Sequence, residues 1–189
     1  MTKYILHGGA ITRKTEENKK FYAEIVKGLS DDANILCVYF SREKKLWPGL
    51  FEEDKFNFSV AAPEKVFYFV LADDQIDNLV EQIKKADVIY MFGGNTDNIK
   101  AVLGKVENLK ELLKGKVVAG ESAGINILST YFYSNRLEKI SAGLGILPIK
   151  TFCHYTEDKI DKLQELKKYG EDLKVYALPE EKFVIIEEN

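Results

Sequence analysis

The sequence predicts a three-layer α/β/α sandwich over residues 1–189, one domain with helices above and below a mostly parallel sheet. Three observations predict it. Short apolar runs alternate with longer amphipathic stretches, the signature of strands linked by helices. The apolar runs are nearly continuous, as strands buried on both faces require. A chain of 189 residues buries roughly 70% of the surface its unfolded form exposes, enough for a real core.

Residues 4–7 form a first strand, ended by Gly8-Gly9. Residues 15–29 carry Phe21, Ile25 and Leu29 at a spacing of four, a helical stripe. Residues 34–40 are a second, nearly all-apolar strand and residues 66–70 a third. Over residues 73–86, Ile76, Leu79, Val80 and Ile83 fall on one helical face. A fourth strand, 87–92, stops at Gly93-Gly94 before a helix from Thr96, and a fifth, 116–119, runs into Gly120. Beyond it, 134–149 reads as a loop with short strands and 157–169 as a helix. Residues 174–178 and 183–186 read as two strands that pair through the turn at 179–182. Segment 41–63 holds the only Trp, Trp47, and several Phe among charges; it fits a helix over the sheet or a loop over a site.

Composition narrows the function classes. A net charge of −3 leaves no basic footprint for nucleic acid and no polybasic membrane anchor. No apolar run approaches the roughly 18 residues of a membrane span, and the N-terminus lacks a signal-peptide core. Two cysteines, Cys37 and Cys153, make no disulfide framework and read as packing residues, so a cytoplasmic setting is expected. No zinc-ligand spacing, Walker loop or dinucleotide fingerprint occurs, so neither metal nor cofactor is expected. Trp47, Phe51 and Phe56, taken as exposed aromatics, suggest a homodimer contact.

Gly120-Glu121-Ser122-Ala123-Gly124 matches G-x-S-x-G, with a strand before it and a helix-capable run after it. That context suits a serine nucleophile on a sharp, strained turn whose neighbours two positions away must be small. The N–H of Ala123 then becomes an oxyanion donor, backed by the dipole of the following helix. Gly94, after the fourth strand, offers a second such donor, while Asn95 or Thr96 serves as a helix N-cap. A serine needs a base, and the only histidines are His7 and His154. His154 is the candidate base; His7 suits a structural or substrate-proximal place. Glu180 or Glu181 would orient the base.

These residues resemble the dipeptidase E group of serine peptidases, relatives of cyanophycinase that share the flavodoxin-like core of class I glutamine amidotransferases. The likeness rests on Gly-Gly-Asn-Thr at 93–96, Gly-Glu-Ser-Ala-Gly-Ile-Asn at 120–126, the pair His154-Tyr155, and Leu178-Pro179-Glu180. It implies Ser122 as nucleophile, His154 as general base, Gly94 and Ala123 as oxyanion hole, and a small peptide or amide as substrate. Gly93, Asn95 and Asn126 of the same motifs are expected near that substrate, with His7. Some relatives take the third triad member from an Asp downstream of the serine; residues 134–138 offer none, so Glu180 fills that place. The aspartyl dipeptidases carry an Arg-containing segment after the histidine, whereas 156–168 here has no Arg. Two rivals remain from the residues: an esterase of the α/β-hydrolase type, suggested by His7-Gly8-Gly9 plus the serine motif, and a non-catalytic sensor or partner-binding domain on the same core.

Overall fold

The computed structural model describes residues 1–188. Its strands are β1 (Thr2–His7), β2 (Asn34–Val38), β3 (Tyr68–Leu71), β4 (Val88–Met91), β5 (Val117–Glu121), β6 (Ser129–Ser134), β7 (Lys139–Ala142), β8 (Leu147–Cys153), β9 (Lys174–Leu178) and β10 (Phe183–Glu188). Its helices are α1 (Glu16–Val26), α2 (Trp47–Ala61), α3 (Ile76–Lys85), α4 (Thr96–Leu103), α5 (Leu109–Leu112), α6 (Ala123–Asn126) and α7 (Ile160–Lys168).

Six strands form the main sheet in the order β10-β1-β5-β4-β2-β3, parallel except for β10 at its edge. Read from the far edge, β3-β2-β4-β5-β1 is the flavodoxin order 2-1-3-4-5, with the first strand of this chain in the fifth place. The chain moves one way across the sheet from β1 to β3 and back from β3 to β5. Right-handed crossovers then put α1 and α2 on one face and α3 to α5 on the other, which is the three-layer α/β arrangement. The continuous runs are buried as expected: Ile5, Leu6, Ile35, Leu36, Cys37, Val88, Tyr90, Val118 and Ala119 are each at most 1% exposed.

Local chemistry explains the helix ends. Thr15 caps α1 by accepting from the Asn18 N–H, with Glu16 and Glu17 at the positive end of the helix. Phe21, Tyr22 and Ile25 bury the face below.

Three expectations need correcting and one is resolved. β9 and β10 do not pair with each other. β9 lies parallel to β8, whereas β10 runs antiparallel to β1, because Pro179–Lys182 carries the chain from one sheet to the other. The region read as a loop with short strands contributes to a second sheet, β7-β6-β8-β9. α7 packs on it through a separate core of Tyr133, Phe152, Leu163 and Leu166. Segment 41–63 is both things it suggested: α2 covers the sheet, and Ser41-Arg42 abut the glycines after β4. Trp47 is not an exposed aromatic; it is buried against Phe40 with ring centroids 5.6 Å apart, Phe51 is half-buried, and Phe56 alone of the three is exposed. Among the described residues, no helix is long and apolar enough to cross a membrane.

Candidate active site

The site lies at the carboxyl ends of β1, β4 and β5, where open parallel sheets bind ligands. Ser122 follows β5 directly, with φ 47° and ψ −108°, a backbone conformation that costs a non-glycine residue about 1–3 kcal/mol. Its N–H donates to the His7 carbonyl at 3.0 Å, so β1 helps to hold the turn. The small neighbours are a packing necessity. A Cβ on Gly124 would strike the Met91 carbonyl at the end of β4, and one on Gly120 would lie 3.0 Å from the same oxygen. The helix after the serine, α6, has only four residues. Its macrodipole is correspondingly small, which corrects the expected dipole support and leaves individual N–H groups as the relevant donors.

His154 comes from the other sheet, immediately after β8. Its Nε2 lies 3.0 Å from Ser122 Oγ and its Nδ1 2.9 Å from Glu180 Oε1. Glu180, not Glu181, is therefore the carboxylate at the imidazole. Glu181 Oε1 instead meets Arg13 at 3.1 Å, and the same guanidinium lies 2.6 Å from Glu180 Oε2. The hydrogen bond to His154, and then Arg13, hold the Glu180 carboxyl below its usual range. The histidine is docked by its backbone N–H to the Gly8 carbonyl, 2.9 Å, and its ring rests on the bare face of Gly9.

His7 is close in sequence to this junction but does not reach substrate space. It is fully buried. Gly9 N–H donates to its Nδ1, so the ring proton sits on Nε2 and donates to Asn18 Oδ1 at 3.0 Å. Burial pushes its pKa down to about 4, which keeps the ring neutral. Asn18 in turn donates to the Ala10 and Arg13 carbonyls, each at 2.8 Å. His7 thus shapes the 8–13 loop from beneath, the structural and not the substrate-proximal one of its two expected places.

Glu121, inside the serine motif, carries a role the sequence did not disclose. It is 4% exposed. Oε1 accepts from Gly93 N–H at 3.1 Å and Oε2 from Ile11 N–H at 3.3 Å, tying together the loops after β1 and β4. Burial raises its pKa, opposed by those two bonds and by Arg42. The signal available beforehand was a charged residue at the end of an otherwise apolar strand. Asn95 caps α4 by accepting from Asp97 N–H at 2.9 Å. Asn126 presents Oδ1 to Thr151 Oγ1 at 2.9 Å and to Cys153 Sγ at 3.2 Å. Cys153 is buried beneath the site, and that burial pushes its thiol pKa well up.

Ala123 opens α6, so its N–H has no partner within the helix. Gly94 N–H donates to no protein acceptor among the described residues. Two cavities share Gly94, Ser122 and His154. One, about 190 Å³, is lined by Asn126, Tyr133, Asn135 and Arg136; the other, about 280 Å³, by Ile11, Arg42, Glu121 and Glu180. A groove of about 350 Å³ between α1 and α2 is more apolar; it reaches Ile11, Arg13 and Asn18 but none of Ser122, His154 and Glu180. Among the described residues no group of three metal-ligating side chains converges.

Comparison with known proteins places the chain. The sequence model of Peptidase family S51 matches residues 58–189. The uncharacterized peptidase Lin0382 of Listeria innocua serovar 6a is 26% identical over 144 residues, 66% of this chain and 69% of that protein. Among solved structures, a peptidase from an acI-B1 Actinobacterium superposes with a TM-score of 0.66 at 19% identity, covering 98% of this chain and 83% of the other. A Listeria monocytogenes EGD-e protein provisionally assigned as peptidase E gives a TM-score of 0.66 at 16% identity with both chains fully covered. At those identities the two structures speak for the fold.

Proposed function

The chain belongs to Peptidase family S51, a family of serine-type peptidases, and from that premise we propose that it hydrolyses short peptides or small amides through Ser122, His154 and Glu180. The observation that carries the reading is the 3.0 Å approach of His154 Nε2 to Ser122 Oγ, with Glu180 on the opposite ring nitrogen. It also weighs against a non-catalytic domain, which has no need of an aligned nucleophile and base.

Ser122 Oγ attacks the carbonyl carbon while His154 Nε2 takes its proton. Glu180 accepts the Nδ1 proton in a hydrogen bond and stabilises the imidazolium. The N–H groups of Gly94 and Ala123 receive the negative charge that develops on the carbonyl oxygen. Collapse expels the amine, which takes the proton from His154, and leaves an acyl-serine. Water, deprotonated by the same imidazole, then releases the acid and restores Ser122. The two cavities, about 190 and 280 Å³, meet at Ser122 and so leave room for a small substrate on either side of the attacked carbonyl.

The test is labelling with a fluorophosphonate probe. Wild type is expected to label on one serine, and Ser122→Ala and His154→Ala are expected to abolish or nearly abolish it. Equal labelling of the Ser122→Ala chain would sink the proposal.

A further inference from the structure

We propose that Arg42 is a positioning residue of the oxyanion hole, acting through the peptide bond between Gly93 and Gly94. The inference rests on the reading of Gly94 N–H as an oxyanion donor and concerns what aims that donor. The Gly93 carbonyl accepts from Arg42 Nε at 2.7 Å and lies 3.0 Å from Ser41 Oγ, whose one proton it shares with the nearer Phe92 carbonyl. Gly93 N–H is held by Glu121, and Asn95 N–H donates to the Ser41 carbonyl at 2.9 Å. The Gly93 N–H, the Gly93 carbonyl and the Asn95 N–H that flank it are thus engaged, and the Gly94 N–H is left free beside Ser122, as is that of Ala123.

The geometry of the peptide unit makes the carbonyl bonds directional. The Gly93–Gly94 peptide is trans, and in a trans peptide C=O and N–H point in opposite directions. Pinning the Gly93 oxygen against Arg42 and Ser41 consequently turns the Gly94 N–H the other way. The charged donor also polarises the peptide: hydrogen bonds in series strengthen one another by about 10–30% each, and a charge-assisted bond is about twice as strong as a neutral one. Arg42 packs so closely that a Cβ on Gly94 would lie 3.0 Å from its Nε. The guanidinium is itself anchored over the Phe92 ring at 5.4 Å, and the Arg42 carbonyl accepts from Trp47 Nε1 at 3.0 Å. Ser41 is buried and fixed, with its hydroxyl also within 2.7 Å of the Phe92 carbonyl. Positioning of this kind affects the step in which the oxyanion forms, not the binding that precedes it.

The experiment compares the fluorophosphonate inactivation of full-length wild type, Arg42→Ala and Arg42→Gln, resolving the maximal rate from the half-saturating probe concentration across pH. Removing a direct oxyanion donor costs about 10²–10³-fold; loosening one from behind is expected to cost about tenfold to a hundredfold in the maximal rate. The half-saturating concentration should stay within about threefold, and the loss should be equal at every pH, since Arg42 acts on a peptide group that does not titrate. Arg42→Gln, which keeps a neutral donor on a shorter stem, should fall between the two and supplies the test if the alanine variant does not fold. Wild-type rates in both folded variants would overturn the inference while leaving the triad intact. So would a loss confined to half-saturation or a displaced pH midpoint. A wild type that does not label overturns the proposed function, and this inference with it.

Discussion

The two sheets contribute unequally to the site. The six-stranded sheet carries Ser122, Gly94 and Glu121 on the ends of adjacent strands, backed by one large continuous core. The four-stranded sheet carries His154 at the end of β8; it has a small core of its own under α7, while Leu147, Ile149, Cys153 and Leu178 join the large one. Glu180 sits on the link that leaves the second sheet and returns to the first. The serine–histidine distance is therefore an inter-sheet distance, set by how the small sheet docks rather than by either sheet alone. Besides the Asn126 contacts, the junction is held at the loop after β1: Gly8 N–H donates to the Lys182 carbonyl at 2.8 Å, Gly8 O accepts from His154 N–H at 2.9 Å, and Gly9 O accepts from Glu181 N–H at 3.0 Å. The two glycines after β1, which looked like a strand stop, are part of the seam between the halves.

The sharpest way to break this arrangement is at the link. Glu180→Gln keeps the size of the side chain but removes the charge that favours the productive ring tautomer, and is expected to lower the rate of serine labelling about 10³-fold or more. Glu181→Gln, which loses only a partly exposed contact with Arg13, should stay within about threefold. The reverse ranking would put the acid one residue later. The seam itself comes next. Gly9 has φ 119°, and a Cβ there would run into the imidazole of His154. Gly9→Ala should displace that ring and lower labelling about 10²-fold, the usual penalty for an ångström of misplacement. Circular dichroism should still show both sheets. Labelling at the wild-type rate would mean that the two halves do not meet through Gly9.

What could be read beforehand divides along the same line. The main sheet was legible because its strands are buried on both faces and its glycines fall at strand ends. Ser122 and His154 were legible because a strand–turn–helix serine motif is rare and the chain offers only two histidines. The second sheet was not. β6 mixes half-buried and buried positions, so neither an apolar run nor a clean alternation marks it, whereas β9 was legible as a strand over 174–178 and only its partner was not. β9 and β10 are close enough in sequence to suggest a hairpin, whereas the pairing of β10 with β1 spans nearly the whole chain and leaves no local trace. His7 misled because its position at the end of β1 is the right place. Its side chain points inward, with its ring 4.7 Å from that of Phe21, and strand alternation alone does not say which face is the substrate's. Arg42 and Glu121 act on backbone groups of other loops, a relation that residue types cannot express.

The smallest expected effect tests whether the main sheet's stability is independent of the site. Asp54, on the buried face of α2, is 1% exposed and accepts from the Tyr22 and Tyr39 hydroxyls, each at 2.7 Å. Burial raises its pKa to about 7 even against those bonds. The folded state then holds this proton more tightly than the unfolded chain, whose carboxyl titrates near 4. Linkage fixes the sign: the stabilisation is full below pH 4 and is lost as pH rises through about 7. His7, with its pKa pushed down to about 4, acts in the opposite sense. Its contribution is present above about pH 6.5 and is lost as pH falls toward 4, so the two slopes mask each other in the wild type. Asp54→Asn removes one of them. The melting temperature of the variant minus that of wild type should therefore rise between pH 4 and pH 8, by an amount equivalent to a few kcal/mol at most. Serine labelling at pH 7 should change less than threefold. A flat difference would show that the aspartate is ionised in the interior at no cost. A large loss of labelling would show that the core beneath α2 and the site are not energetically separate, because α2 follows directly on the Ser41-Arg42 segment that holds the Gly93 carbonyl.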